Sequence, residues 1–242
     1  MNSTNKTISV ICIFSMAMAA LESAVVVYLR ALYYPEGFSV AFKLIDQHIV
    51  LVEILREAAT LTMLGAVGYL AGRNFKTRMA YFFLAFAVWD IFYYGWLKVF
   101  IDWPSSVLEW DILFLIPFTW LGPVLAPLIC SLTMILLSLV LLFYHKPVSQ
   151  VTWTLLLSGS GCILYTFLQD YGSLVIRNGF LSELTTILQN EAFIRLASAY
   201  MPAGFNWGLF LLGELFLLAA IFIQYQGFPR WKSAAPQAQG SL

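Results

Sequence analysis

Residues 48–72 read HIVLVEILREAATLTMLGAVGYLAG, an apolar run long enough to cross a bilayer as a helix. Its first turns nevertheless carry three charged residues, Glu53, Arg56 and Glu57. A charge at the centre of a membrane helix costs about 2.5–3.5 kcal/mol on insertion scales, so charged residues inside spans usually face the interior of a bundle. The stretch therefore predicts one helix of a transmembrane bundle with a polar interior.

The composition of the whole chain is that of a membrane protein. Of its 242 residues, 61% are hydrophobic and only 11% are charged, which is too little polar surface to cover a soluble globule. The apolar runs have the length of spanning helices and lack the alternation of barrel strands, so we predict an all-α bundle in contact with the lipid bilayer. The net charge is zero and the basic residues are scattered, which argues against nucleic acid as a partner.

We predict about six transmembrane spans, at residues 8–33, 49–72, 79–101, 123–144, 151–170 and 207–226. They form a single transmembrane domain over residues 1–228, followed by a short cytoplasmic tail over residues 229–242. The first 20 residues also have features of a cleaved signal peptide, with Lys6 before an apolar run and small residues at 17–20. That run continues to Tyr34, which favours a retained span.

The charges in the connections predict the orientation of the spans. The connections after spans 2 and 4 and the two ends of the chain contain no acidic residue, but they hold basic ones: Lys6, Arg73, Lys76, Arg78, Lys146, Arg230 and Lys232. Basic residues concentrate on the cytoplasmic side of membrane proteins. We therefore expect both termini to be cytoplasmic, in the cytoplasmic membrane of a bacterium or an archaeon.

Two connections are long enough to contain structure of their own. Residues 102–123 lead into span 4 and are expected to form a re-entrant or interfacial helix on the outer side, which Pro117, Gly122 and Pro123 separate from span 4. Asp111 within this segment is expected to lie near the surface. Between spans 5 and 6, apolar residues repeat at helical spacing over 180–188, which predicts an amphipathic helix on the outer surface.

Four spans carry acidic residues at a similar depth in the predicted outer half of the membrane. We predict that acid/base catalysis depends on these four residues: Glu22, Glu57, Asp90 and Glu214. Glu22 and Glu214 have no basic residue within one turn of their own helices, which favours a functional role over a structural ion pair. Arg56 beside Glu57, and Lys98 two turns after Asp90, leave structural pairing as the alternative for the other two acids.

The residues predicted to bind substrate share faces with these acids or lie nearer the outer surface: Arg30, Glu53, Arg56, Tyr93, Tyr94, Lys98, Tyr165 and Gln169. The basic residues among them could hold a phosphate or carboxylate group of a substrate. Tyr165 and Gln169 belong to a polar stripe along span 5 that suits the wall of a cavity. Arg30, Lys98 and Glu53 also have a structural interpretation, because their side chains could reach water at the interface.

The favoured function is a membrane-embedded enzyme that uses acid/base chemistry on a lipid-soluble substrate. Acids outnumber bases in the predicted polar layer, so a proton or a bound cation is the expected counter-charge. A proton- or cation-coupled carrier of small molecules is one alternative, although no internal repeat supports it. A non-catalytic subunit, whose charges pair with those of another membrane protein, is the other.

The residues predict no metal site and identify no cofactor. Cys12, Cys130 and Cys162 lie inside apolar runs without CxxC spacing, and we interpret them as packing residues. His48 and His145 make a poor ligand set for haem or a transition metal. A divalent cation held by the four candidate acids is the alternative, since hard cations accept oxygen ligands, but the acids have no recognised metal spacing.

Overall fold

A computed structural model of the chain describes residues 3–35, 47–116, 119–144, 146–180, 190–200, 202 and 204–226. The fold is mostly helical, with one short β-hairpin in these ranges, so the predicted all-α class is confirmed. The elements in chain order are α1 (Ser3–Tyr33), α2 (Gln47–Ala71), α3 (Phe75–Ile101), β1 (Trp110–Phe114), β2 (Trp120–Pro123), α4 (Leu125–Phe143), α5 (Gln150–Arg177), α6 (Glu191–Ser198) and α7 (Trp207–Gln226).

Five of the described helices, α1, α3, α4, α5 and α7, are long and apolar enough to cross a membrane. The chain is therefore compatible with a multi-pass integral membrane protein. The remaining predicted span, residues 49–72, corresponds to α2, a helix of 25 residues that is not among the five. Its charged residues lower the hydropathy of its first half, and a sixth span stays a prediction.

Hydrogen bonds between helices establish their relative directions. Ser131 of α4 donates to the carboxylate of Asp90, and Ser138, two turns later, donates to the carbonyl of Ala80. The partners descend along α3 as the donors ascend along α4, so these two helices are antiparallel. Such side-chain hydrogen bonds between helices are a common packing interaction inside membranes, where small polar residues lie at the helix interface.

The predicted cytoplasmic connections lie together at one end of the bundle. Lys76, at the start of α3, donates to the carbonyls of Tyr144 and Lys146 after α4. Lys146 in turn donates to the carbonyl of Gln226 at the end of α7, at 3.0 Å. We refer to this end, defined by Lys76, Lys146 and Gln226, as the basic end.

The prediction of a helix before α4 is wrong, because residues 110–123 contain an antiparallel β-hairpin in which Asp111 lies opposite Gly122. Aromatic and β-branched side chains favour strands, and the prolines of this segment cannot donate the backbone hydrogen bonds of a helix. Gly122 also allows close packing, since a Cβ there would lie 3.0 Å from the ring of Phe167 in α5. Most of β2 is buried, with Leu121 almost fully enclosed, whereas β1 is half-buried apart from Asp111.

The predicted amphipathic helix between spans 5 and 6 lies almost entirely outside the described residues, as does the tail over 229–242. A short helix, α6, follows it. The side chain of Asn190 accepts hydrogen bonds from the backbone N–H groups of Ala192 and Phe193 and so caps the start of α6.

Helices α5 and α7 pack closely through a pair of glycines. A Cβ at Gly159 would lie 2.7 Å from the carbonyl oxygen of Gly213, and a Cβ at Gly213 would lie 2.7 Å from the side chain of Ile163. Small residues let helix backbones approach one another, and this close packing stabilises helix pairs where water supplies no hydrophobic driving force. This contact fixes which face of α5 is turned toward α7.

We expect Gly159→Ala to destabilise the protein by about 1–3 kcal/mol, the usual cost of overpacking a close contact. Gly161→Ala, on the same helix, is the matched control, because a Cβ there meets nothing within 4 Å. That change is expected to be neutral or slightly stabilising, since alanine favours helix more than glycine does. The measurement is thermal unfolding of both variants in the same lipid nanodiscs, and equal melting temperatures would contradict the close packing.

Candidate functional site

A cavity of about 800 Å³ lies between α1, α2, α3, the hairpin, α4 and α5, and two residues of α7 also line it. We divide it into two parts. The polar chamber is the part lined by charged and tyrosine side chains: Glu22, Arg30, Glu53, Arg56, Glu57, Asp90, Tyr93, Tyr94 and Asp111. The apolar groove is the part between α3 and α5, with α4 as its floor: Met79, Phe82, Phe83, Phe86, Met134, Leu137, Leu141, Leu156, Leu157, Ser160 and Leu164.

The apolar groove opens on the surface of the bundle between α3 and α5. Leu157 is 68% exposed and Ser160 is also exposed, although both line the cavity. At the basic end, the rings of Phe75 and Trp153 lie 6.3 Å apart and bring the two helices together. If α3 and α5 cross a bilayer, this opening faces lipid rather than water.

Arg56 links the acids of α1 and α2 in the polar chamber. It forms an ion pair with Glu22 of α1 and a second with Glu53, one turn earlier on α2, at 2.8 Å. The hydroxyl of Thr60 also donates to Glu22, at 3.1 Å. Glu22, which has no base within one turn on its own helix, is therefore paired with a base from the neighbouring helix.

Glu57 is held by the backbone of the hairpin rather than by a basic side chain. The N–H of Leu115, just after β1, donates to both carboxylate oxygens, at 3.0 and 2.9 Å. Backbone donors stabilise a carboxylate and fix its orientation. Glu57 is thus presented at the junction of α2 and the hairpin.

Asp90 of α3 has a single hydrogen-bond partner among the described residues. The hydroxyl of Ser131 donates to its Oδ2 atom at 2.8 Å, and the side chain is only 8% exposed. Among the described residues, its Oδ1 atom has no hydrogen-bond partner and no basic side chain forms an ion pair with it. A buried carboxylate in this state needs a proton, a cation or a hydrogen-bond donor.

Asp111 is buried beside Arg30, so the expectation that it lies near the surface is wrong. Asp111 is 2% exposed, and one of its oxygens lies 3.2 Å from the guanidinium of Arg30. The hydroxyl of Tyr94 donates to its other oxygen at 3.3 Å. The guanidinium also lies over the ring of Trp103, 3.8 Å from its centre. These contacts connect α1, α3 and the hairpin.

Glu214 lies behind the cavity wall rather than on it. The hydroxyl of Thr133 donates to the Oε2 atom of Glu214 at 2.7 Å. Thr133 and Cys130 line the cavity, whereas Glu214 does not. The described residues contain no group of three or more His, Cys, Asp and Glu side chains placed to hold a metal ion.

Three predicted substrate-binding residues do not reach the cavity. Lys98 forms an ion pair with Asp102 at 2.7 Å on the surface, and not with Asp90. Tyr165 is 60% exposed and Gln169 lies off the lining. Tyr165 and Gln169 miss the cavity because of the rotation of α5 about its axis. The contact of α5 with α7 turns the predicted polar stripe away from the cavity, and Ser160 lines the cavity instead.

Sequence reasoning missed several residues of the cavity wall. Ser131 and Thr133 hold two of the candidate acids, and hydroxyls within so apolar a span were an available signal for a helix contact. Nothing in the sequence indicated that Asp111 is buried, because its burial depends on the formation of the hairpin. Trp120 also lines the cavity, although in the sequence it resembles an ordinary interface residue.

Comparisons with known proteins leave the site to be interpreted from its own geometry. No family model matches this chain, and neither the curated proteins nor the solved structures include a match to it.

Proposed function

We propose that this protein is a membrane-embedded enzyme that receives a lipid-soluble substrate through the apolar groove and acts on its polar end by acid/base chemistry in the polar chamber. The observation that carries this proposal is the continuity of the two parts, because one cavity joins an opening between α3 and α5 to a set of buried acids. Small-molecule sites are usually concave and mostly apolar, with a few polar groups that orient the ligand.

Asp90 and Glu57 are the proposed acid/base pair. A general acid or base needs an atom within hydrogen-bond reach of the substrate, and Asp90 has an oxygen without a partner among the described residues. Ser131 orients Asp90, and the N–H of Leu115 orients Glu57, so each carboxylate is held by a single neighbouring element. Positioned groups of this kind lower the cost of reaching a reactive geometry.

The other predicted acids have supporting roles in this proposal. Glu22 and Glu53 are engaged with Arg56, which joins α1 to α2 and shapes the chamber. Glu214 acts through the wall residue that it contacts, as a positioning residue. Tyr93 lines the chamber and is the proposed contact for the polar end of the substrate.

Conversion of an unidentified substrate can be tested with an extract of the native membrane lipids. The full chain in nanodiscs is incubated with the extract, and mass spectrometry compares the lipid-soluble species before and after. We expect at least one species to fall as a product rises. Ser160→Trp places a bulky ring in the groove and is expected to prevent this conversion.

Ser158→Trp is the matched control for the blocked groove. Ser158 is also an exposed serine of α5, but it does not line the cavity, so the same substitution there is expected to leave conversion unchanged. Equal conversion by the two tryptophan variants would contradict substrate entry through the groove. No conversion by the unaltered protein would contradict enzymatic activity.

A proton- or cation-coupled carrier is the second candidate, and one observation favours it. The cavity lining extends from Lys76 at the basic end to Tyr33 near the opposite end of α1. A carrier needs access from both membrane faces to a site near the middle. Proteoliposomes distinguish the two functions, because a carrier accumulates an unchanged compound when a pH gradient is applied, whereas an enzyme converts it without accumulation.

A further inference from the structure

We infer that the polar chamber selects an organic cation, so that the substrate is a lipophilic molecule whose polar end is an amine or another onium group. This inference rests on the proposed function, since it names the chemical class of substrate for the same site. It replaces the expectation that the basic residues of the site hold a phosphate or a carboxylate.

The first argument is the balance of charge around the chamber. Its lining includes five carboxylates and two guanidinium groups: Glu22, Glu53, Glu57, Asp90, Asp111, Arg30 and Arg56. Both guanidinium groups already contact carboxylates of the chamber. An anionic group would have to break these ion pairs and would lie beside the remaining acids, where like charges repel. A cation would leave these ion pairs intact and would be attracted by the remaining acids.

The second argument is the state of Asp90, which is independent of the number of acids. Its side chain is 8% exposed and lies on the cavity wall. Ser131 satisfies one oxygen, while the other has no hydrogen-bond partner in the part of the chain that the structure describes. Burying a carboxylate without a partner is costly. An ammonium group in the cavity would supply both the charge and the hydrogen bond.

The third argument is the aromatic wall of the same cavity. The ring of Phe114 in the hairpin stacks on Phe86 at 6.2 Å, contacts Trp120 at 5.5 Å and lies 6.3 Å from Trp89. All four rings line the cavity. Aromatic faces attract organic cations, most strongly where water is excluded, and aromatic rings are a common means of recognising onium groups.

The test compares a lipophilic cation with an anion of the same shape. Tritium-labelled tetraphenylphosphonium and tetraphenylborate are measured by equilibrium dialysis against the full chain in phosphatidylcholine nanodiscs, with empty nanodiscs as the lipid background. We expect saturable binding of the phosphonium above background and none of the borate. This comparison uses the unaltered protein, so it does not depend on whether any variant folds.

A variant then assigns the preference to Asp90. We expect Asp90→Asn to weaken tetraphenylphosphonium binding by about tenfold or more, because it removes the charge that faces the ligand. Asp102→Asn is the matched control, since Asp102 is an exposed acid at the end of the same helix and asparagine tolerates its left-handed backbone conformation. It is expected to bind the phosphonium as the unaltered protein does.

The outcomes separate this inference from the proposed function. Equal binding of the two ions, or unchanged phosphonium affinity in Asp90→Asn, would overturn the cation preference. If the groove binds the neutral lipophile farnesol instead, and Ser160→Trp prevents that binding, the proposed function stands and only the inference is lost. If neither ion nor farnesol binds above background, both are wrong.

Discussion

Asp90→Asn is expected to slow substrate conversion by about 100- to 10,000-fold, the usual contribution of a positioned general acid or base. Asparagine keeps the size of the side chain and can still accept the hydrogen bond from Ser131. It cannot gain or lose a proton at this site. The expected result is therefore a large loss of rate in a protein that still folds.

The rate is measured as initial conversion of the species that the lipid-extract experiment identifies, at saturating and at low concentration. Thermal unfolding of the same preparation tests whether the fold is intact. Asp102→Asn, which changes an exposed acid near the same helix, is expected to retain full activity. A rate for Asp90→Asn within a factor of three of the unaltered protein would remove this residue from the proposed chemistry.

Arg30→Met is expected to cost about 3–5 kcal/mol of stability, because breaking a buried ion pair leaves an uncompensated charge. The charge left behind is Asp111, which is 2% exposed and keeps the hydroxyl of Tyr94 as a hydrogen-bond donor. The substitution also removes the stacking of the guanidinium on Trp103. The contacts of Arg30 and Asp111 join α1, α3 and the hairpin, so their loss affects the whole polar chamber.

The measurement is the midpoint of denaturant unfolding in mixed micelles. The double variant Arg30→Met, Asp111→Leu is expected to recover most of the lost stability, since replacing both members of a buried pair with apolar residues is often neutral. Lys98→Met is the control, because the pair between Lys98 and Asp102 is exposed and contributes little. Equal unfolding midpoints for Arg30→Met and Lys98→Met would contradict the low-dielectric environment of Arg30.

The positions of the helices could be predicted from the sequence because each depends on a local property. A span must supply about 20 apolar residues to cross the hydrocarbon layer. The predicted span at 207–226 coincides with α7 (Trp207–Gln226), and the one at 8–33 lies within α1 (Ser3–Tyr33). Differences of a few residues at helix ends reflect capping and fraying, which the hydropathy of a run does not record.

The hairpin before α4 could not be predicted in the same way. Its two strands pair with each other, and β2 packs against α5, where Gly122 meets Phe167. Inside a bundle, non-helical backbone is tolerated only where the surrounding protein satisfies its polar groups. Glu57 does part of this by accepting the N–H of Leu115, a residue 58 positions later in the chain. A partner so far away in the chain cannot be recognised from the local sequence pattern.

The candidate site was also predictable only in part, because the sequence shows relations within one helix but not contacts between helices. Helical periodicity correctly places Glu53, Arg56 and Glu57 within two turns of one another, because the rise and twist of a helix are fixed. It does not say which helix packs beside them. The pairing of Arg56 with Glu22, and the burial of Asp111 against Arg30, depend on distances across the bundle.

The sequence by itself determined that this chain forms apolar helices with acids inside them, since hydropathy and periodicity are properties of each segment alone. The tertiary structure decided which acids share a cavity, because that depends on how each helix is rotated against its neighbours. Close contacts such as Gly159 with Gly213 set this rotation for α5 and turn Tyr165 outward. Packing at a few small residues thus selects the side chains that line the site.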